Sequence, residues 1–196
     1  MPAIESRLHT ASESFQAHRA GMLALLGQVR SHEARAAAAS NASAERFARR
    51  GQLLPRERLA LLLDTGAPFL PLASLAGLGH DNEDLGKSVP GGGVIAGIGR
   101  ISGVRCMVSA SDSGIDAGAL QPMGLDKQLR VQEIALENKL PYVQLVESAG
   151  ANLMQYRVQD FVRGGGIFRN LARLSAAGLP VAVSYTHLTL PTNREV

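Results

Sequence analysis

Pro90-Gly-Gly-Gly-Val-Ile-Ala-Gly-Ile-Gly-Arg-Ile-Ser-Gly-Val-Arg-Cys-Met-Val-Ser-Ala110 is where the hydrophobic pattern of this chain changes period. Two short apolar runs, 94–98 and 104–110, flank Arg100-Ile101-Ser102-Gly103, and the spacing predicts a hairpin. Upstream, residues 77–93 are rich in glycine and charge, so they read as a loop. Downstream, a glycine-containing loop at 111–124 leads to a helix over 125–138. In it Leu129, Ile134 and Leu136 supply apolar positions, while Lys127, Arg130 and Glu133 stay polar. Pro141 precedes a strand at 142–146, and Ser148-Ala149-Gly150-Ala151 is a small-residue turn. A helix at 166–177 ends at Gly178, and another strand opens at Pro180-Val181-Ala182. Strands alternating with helices at this spacing indicate an α/β layer.

Toward the N-terminus, residues 12–50 read as helix. Leu23, Leu25, Leu26 and Val29 form an apolar patch, and the alanines at 36–39 carry strong helix propensity. The apolar density is too uneven for a core, so residues 1–50 are expected to be a helical extension that packs on a partner or along the domain surface. A second helix fits 55–63: Pro55 suits a first turn, Leu59, Leu62 and Leu63 share a face, and Asp64-Thr65-Gly66 ends it. The α/β unit is then 51–182. Residues 183–196 break the logic and resemble the translation of a sequencing-library adaptor. They are expected to be a non-native tail.

A chain of 196 residues can bury one ordinary core. No apolar run approaches the ~20 residues that span a bilayer. Glu5 and Glu13 interrupt the first residues, against a secretory signal. Cys106 is the single cysteine, which excludes an internal disulfide and a zinc ribbon. Glu5 and Glu13 also argue against a mitochondrial transit peptide, the cysteine count fits a reducing compartment such as the cytoplasm, and no metal is expected. The net charge of +3 is spread out, and three Tyr, five Phe and no Trp leave little to stack on bases. Nucleic-acid binding is therefore not expected. The same positive charge suits a polyphosphate ligand.

Two loops carry the chemistry. The first, Ala110-Ser-Asp-Ser-Gly-Ile-Asp-Ala-Gly118-Ala119, joins a strand to a helix. Such a loop presents backbone N–H groups to an anion, or is simply a tight turn. The second, Glu147-Ser148-Ala149-Gly150-Ala151, has the same setting, and its small residues let a substrate approach the backbone. Ser148 and Gly150 fit half of a nucleophile elbow, but Val146 stands where that pattern needs glycine. His9, His18, His32 and His80 all lie outside the α/β portion, so a serine hydrolase is poorly supported. Gly97-Ile-Gly99 is one residue off the dinucleotide-binding spacing. Asp81-Asn-Glu-Asp84 lacks the calcium-loop pattern. Asp112, Asp116 and Glu147 read either as an acid/base set or as cap and turn residues.

Taken in order, these segments resemble the biotin-dependent carboxyltransferase family. The similarity runs through Arg50-Gly-Gln-Leu-Leu-Pro-Arg-Glu-Arg-Leu59, the 90–104 hairpin, Leu129-Arg-Val-Gln-Glu-Ile-Ala135, Asn138-Lys-Leu-Pro141, Val146-Glu-Ser-Ala-Gly-Ala151, Phe168-Arg-Asn170 and Ser175-Ala-Ala-Gly-Leu-Pro180. Within the family it is most similar to the 3-methylcrotonyl-CoA and geranyl-CoA carboxylase β subunits.

The resemblance implies a crotonase-like α/β fold of ββα units, truncated here, with two such domains in a complete subunit. It implies transfer of a carboxyl group from carboxybiotin, carried on a biotin-carboxylase/biotin-carrier subunit, to the enolate of an acyl-CoA. It implies a homo-oligomer with composite sites, so that residues 1–196 alone are expected to be inactive. Biotin itself takes the substrate proton, and no side-chain nucleophile is needed. By position, the Gly118-Ala119 and Ala149-Gly150 amides become the oxyanion donors. Ser148 and Ala151 line the acyl-CoA, and Lys127 and Arg130 become candidate phosphate contacts. The sequence departs from the family where Ala149 replaces a glycine and Asn152 an arginine common in propionyl-CoA relatives. A crotonase-fold hydratase or hydrolase, and a non-catalytic interaction protein, are the alternatives.

Overall fold

The computed structural model describes residue 6 and residues 8–151 and 153–185. Asn152 and residues 186–196, most of the expected tail, lie outside the described residues. The helices are α1 (Glu13–Asn41), α2 (Ala44–Arg49), α3 (Pro55–Leu62), α4 (Pro122–Glu137) and α5 (Val158–Ala176). The strands are β1 (Leu70–Pro71), β2 (Val94–Ile101), β3 (Val104–Ser111), β4 (Tyr142–Val146) and β5 (Val181–Tyr185). They form one five-stranded sheet in the order β1-β2-β3-β4-β5. β1, β2 and β3 pair antiparallel, with Ile101 opposite Val104 at the hairpin; β3, β4 and β5 run parallel. Thus β2-β3-α4 is a ββα unit, and α5 is the crossover between β4 and β5 that a parallel pair requires.

Strand alternation divides the core. Val94, Ala96 and Met107 face α4 and α5, where they meet Val131, Ala135, Tyr142 and Leu174. Ile95, Cys106, Val108 and Ala110 face the other way and pack on Leu59 of α3. Gly97 permits this second layer, because an added Cβ would sit 2.4 Å from the Leu70 carbonyl oxygen. The Gly-x-Gly of the hairpin therefore serves packing.

Three elements depart furthest from their expected bounds. The helix predicted over 12–50 breaks at Ala42-Ser43 into α1 and α2. Ser12 caps α1, its hydroxyl accepting from the Phe15 N–H at 3.3 Å. The break lets the end of α1 and α2 follow the domain surface. Residues 16–31 are exposed throughout, whereas Ala36, Ser40 and Phe47 are buried. So α1 is solvent-exposed over residues 16–31 and packs against the chain from Ala36 onward. α5 starts at Val158, ahead of residue 166, and runs through Gly164-Gly165-Gly166. The Asp160 carboxylate accepts from the Arg157 N–H at 2.9 Å, offsetting the poor helix propensity of the glycines. Finally, β5 pairs with β4 as far as Tyr185 opposite Val146, past Ala182.

Candidate active site

β3 and β4 are parallel neighbours, so the loops that follow them leave the same edge of the sheet. At that edge the two loops are bonded together. Leu120 N–H donates to the Gly150 carbonyl at 2.8 Å, and Ala149 N–H to the Ala117 carbonyl at 3.1 Å. Ser148 Oγ donates to the Gly118 carbonyl at 2.6 Å, and Leu120 and Ala151 form an isolated parallel bridge. Gly118 makes this approach sterically feasible, since a Cβ there would lie 2.1 Å from the Glu147 carbonyl oxygen. The structure thus brings Gly118, Ala119, Ser148, Ala149, Gly150 and Ala151 into one cluster at the carboxyl ends of two parallel strands. Open α/β sheets place ligands in that position.

The expected amide donors are already engaged. Gly118 N–H bonds to the Ile115 carbonyl at 2.8 Å and Ala119 N–H to the Asp116 carbonyl at 3.0 Å. Gly150 N–H bonds to its neighbour Ser148 Oγ at 3.1 Å. Ala149 and Gly150 are exposed, while Gly118 is buried. The second loop is therefore the accessible one, and its Gly150 amide is held only by a local side chain.

Beneath the loops, α3 neutralises two carboxylates. Glu147 lies 3.1 Å from Arg58 Nη1 and accepts from Ser113 Oγ at 2.7 Å. Asp112 accepts from Ser40 Oγ at 2.5 Å and lies 3.7 Å from Arg56 Nη2. Burial raises the Asp112 carboxyl above its ordinary range, and the Ser40 hydrogen bond and the Arg56 charge oppose that shift. Asp116 is exposed and makes only a 3.5 Å contact with Gln121 Nε2. The three acids do not converge on one point; buried Asp112 and half-buried Glu147 brace the first loop against α1 and α3. Ser43 Oγ, bonded to the Gly114 carbonyl at 2.8 Å, completes the brace. Arg56, Arg58 and Ser40 were not singled out in the sequence. The paired arginines of Pro-Arg-Glu-Arg were its only signal.

Lys127 and Arg130 do not act together. Arg130 is exposed and pairs with Glu133 at 3.2 Å and Glu137 at 3.5 Å on its own helix. Lys127, expected on a polar surface, is instead 5% exposed. Its Nζ donates to the Val94 carbonyl at 2.5 Å and to that of Gly91 at 3.4 Å. Burial and then the Arg56 charge push its ammonium down to about 8. An ammonium buried under the Gly91–Val94 turn does not reach a phosphate at the surface. The cations beside the small-residue loops are Arg46 and Arg50 of α2 and its C-terminal cap. They line a groove of about 340 Å³ with Gln52, Ala117, Ser148 and Ala149. Arg46 is steadied by the Ser113 carbonyl at 3.2 Å and by the face of Phe47.

Ser148 has no base. Its hydroxyl is turned to the Gly118 carbonyl, and no histidine bonds it among the described residues. Ser148→Ala should cost about 1 kcal/mol of stability, as for one ordinary hydrogen bond. Turnover should stay within roughly tenfold, far from the collapse expected when a nucleophile is removed. A thousandfold loss with an unchanged melt would reinstate the hydrolase alternative. Among the described residues no His/Cys/Asp/Glu cluster could hold a metal, and no helix is long and apolar enough to cross a membrane.

Comparison with known proteins agrees with this architecture. The β subunit of P. aeruginosa geranyl-CoA carboxylase superposes with a TM-score of 0.83 and 51% identity, covering 93% of this chain and 34% of that one. A biotin-dependent 3-methylcrotonyl-CoA carboxylase β1 subunit of Mycobacterium tuberculosis is 44% identical over 159 residues, 80% of this chain and 29% of that protein. A probable mitochondrial methylcrotonoyl-CoA carboxylase β chain of Drosophila melanogaster is 39% identical over 180 residues, 90% of this chain and 31% of that protein. The chain thus spans about a third of the length of the curated relatives it matches, and the crotonase-like α/β reading of the fold holds. A carboxyl transferase domain model matches residues 47–189, from α2 through β5, so the chain belongs to the carboxyl transferase domain family.

Proposed function

We propose that this chain is the N-terminal carboxyltransferase domain of an acyl-CoA carboxylase β subunit, acting on a branched, 3-methylcrotonyl-CoA-like or geranyl-CoA-like thioester. The observation that carries the reading is the joining of two small-residue loops at the carboxyl ends of β3 and β4, where no histidine bonds Ser148 among the described residues. The acyl-CoA lies along the groove between these loops and α2. The thioester carbonyl sits at Ala149-Gly150, where the Gly150 N–H exchanges Ser148 Oγ for the oxygen of the forming enolate. One such aimed donor contributes roughly 2.7–4 kcal/mol to the transition state. Gly118-Ala119 supports the second loop from behind.

Carboxybiotin, delivered by a biotin-carboxylase/biotin-carrier subunit, supplies the carboxyl group. Its contacts belong to a second domain contributed by another subunit of a homo-oligomer. The residues here orient the thioester and hold its negative charge. The cytoplasm, or the mitochondrial matrix in a eukaryote, suits such an enzyme; the fly relative is named as mitochondrial.

Arg46 and Arg50 take the phosphate role expected of Lys127 and Arg130. In the complete enzyme Arg50→Glu should raise KM for the acyl-CoA roughly tenfold and leave kcat little changed, because the contact is made equally in ground and transition states. Arg130→Glu serves as the control and should leave KM unchanged. The reverse pattern would return the phosphate site to α4. Biotin-free turnover of enoyl-CoA by the complete enzyme would favour the hydratase instead.

A further inference from the structure

A second cavity, of about 270 Å³, is lined by residues of α1, β1, β2, α3 and α4 and by Asp112 and Ile115. It shares no lining residue with the groove at Ser148. Its walls are apolar, with Phe69, Leu72, Ile95 and Ile115 among them. Four charged side chains also line it: Glu33 of α1, Arg56 of α3, Lys127 of α4 and Asp112.

The acids are already committed. Glu33 accepts from Ser74 Oγ at 2.7 Å, and Asp112 accepts from Ser40 Oγ. The cations keep donors to spare, although Asp112 lies 3.7 Å from Arg56 Nη2. An ammonium carries three donors, and Lys127 directs hydrogen bonds to two carbonyls. Arg56 Nε is buried with no hydrogen-bond partner among the described residues. A buried donor without an acceptor keeps its full desolvation penalty, so an acceptor oxygen at this wall is favoured. Burial and then the Arg56 charge hold the Lys127 ammonium down at about 8, and the Asp112 charge opposes them only in part.

We propose that this cavity is a second small-molecule site, taking a free carboxylate with a compact apolar body. Its oxygens meet Lys127 Nζ and Arg56 Nε, and its chain lies against Phe69, Leu72 and Ile115. The volume equals about nine waters at ~30 Å³ each, which suits a six-carbon acid and is too small for a coenzyme. The site does not depend on the carboxyl-transfer reading, since no residue of the Ser148 loop contributes to it.

The test is calorimetric titration of the complete protein with hexanoate and, separately, with hexanol, beside thermal melts. Hexanoate should bind at least tenfold more tightly than hexanol at pH 7. Its affinity should fall as the pH rises from 7 to 9.5, because Lys127 loses its proton in that interval while Arg56 stays charged. Lys127→Met should weaken hexanoate at least tenfold and abolish the pH dependence. Ile115→Trp, which fills the cavity and leaves the cations in place, should abolish binding with an intact melt. If Lys127→Met does not fold, the pH series and Ile115→Trp decide alone. Equal affinity for hexanol, or unchanged binding in Ile115→Trp, would overturn the proposal. So would displacement of hexanoate by coenzyme A, which would make the cavity an arm of the acyl-CoA groove.

Discussion

Gly118→Ala should lower the melting temperature by roughly 6–12 °C and remove carboxyl transfer in the complete enzyme. Two independent costs add at this position. The residue has φ +72°, where an ordinary L residue costs about 1–2 kcal/mol. The new methyl would also lie 2.1 Å from the Glu147 carbonyl oxygen, which is backbone and cannot swing away. Forced overpacking of this kind costs about 1–3 kcal/mol. A total near 3 kcal/mol is a large share of the ~5–15 kcal/mol that holds a domain together. At about 2–4 °C per kcal/mol for this size it gives the stated shift.

The only local relief is to separate the loops, which breaks the Ala149–Ala117 and Leu120–Gly150 hydrogen bonds and releases the second loop. Gly164→Ala in α5 is the matched control. Its added Cβ meets nothing within 4 Å, and a helical glycine with that space gains about 1 kcal/mol on becoming alanine. A Gly118→Ala protein with an unchanged melt and normal turnover would show that the loops do not need their observed approach.

How far the sequence could be read follows from which interactions are local. The hairpin, α3, α4 and β4 were legible because period, turn residues and Pro55 act within a few positions. The break between α1 and α2 was not, since Ala42-Ser43 is a poor breaker and long-range contacts to the Asp112 loop bend the chain there. α5 was started late because three successive glycines argue for a break in isolation. Asp160 and packing on α4 override them: an Arg163–Asp126 ion pair and a 3.0 Å approach of a Gly166 Cβ to Leu129 mark that contact.

At the site, small residues flagged the two loops, but their mutual hydrogen bonds depend on β3 and β4 being parallel neighbours. Lys127 illustrates the opposite failure. Polar spacing put it on the same side of the helix as Arg130 and Glu133, and only the fold shows that the Gly91–Val94 turn covers it. Arg46 and Arg50 looked like part of an extension. The break after α1 is what brings them to the groove.

Gly150→Val should slow acyl-CoA carboxylation by about a hundred- to thousandfold, the loss expected for one aligned oxyanion donor. The cause is the backbone, because a Cβ at this position meets nothing within 4 Å. Gly150 has φ +98°, which a β-branched residue does not tolerate, so the turn must rotate. Rotation carries the Gly150 N–H away from the groove and the Gly150 carbonyl away from Leu120, whose N–H it accepts at 2.8 Å. Stability should fall by only about 1–2 kcal/mol, since the loop is exposed and contributes little to the core. Activity and melt therefore separate here, whereas in Gly118→Ala they fall together. Gly150→Ala should lie between wild type and valine in rate, because its methyl restricts φ less severely. The measurement is acyl-CoA-dependent carboxylation in the assembled enzyme beside a thermal melt, with KM and kcat resolved. A fall in kcat at nearly constant KM would mark an interaction made in the transition state. Near-normal turnover with an intact melt would take the Ser148–Ala151 loop out of the active site.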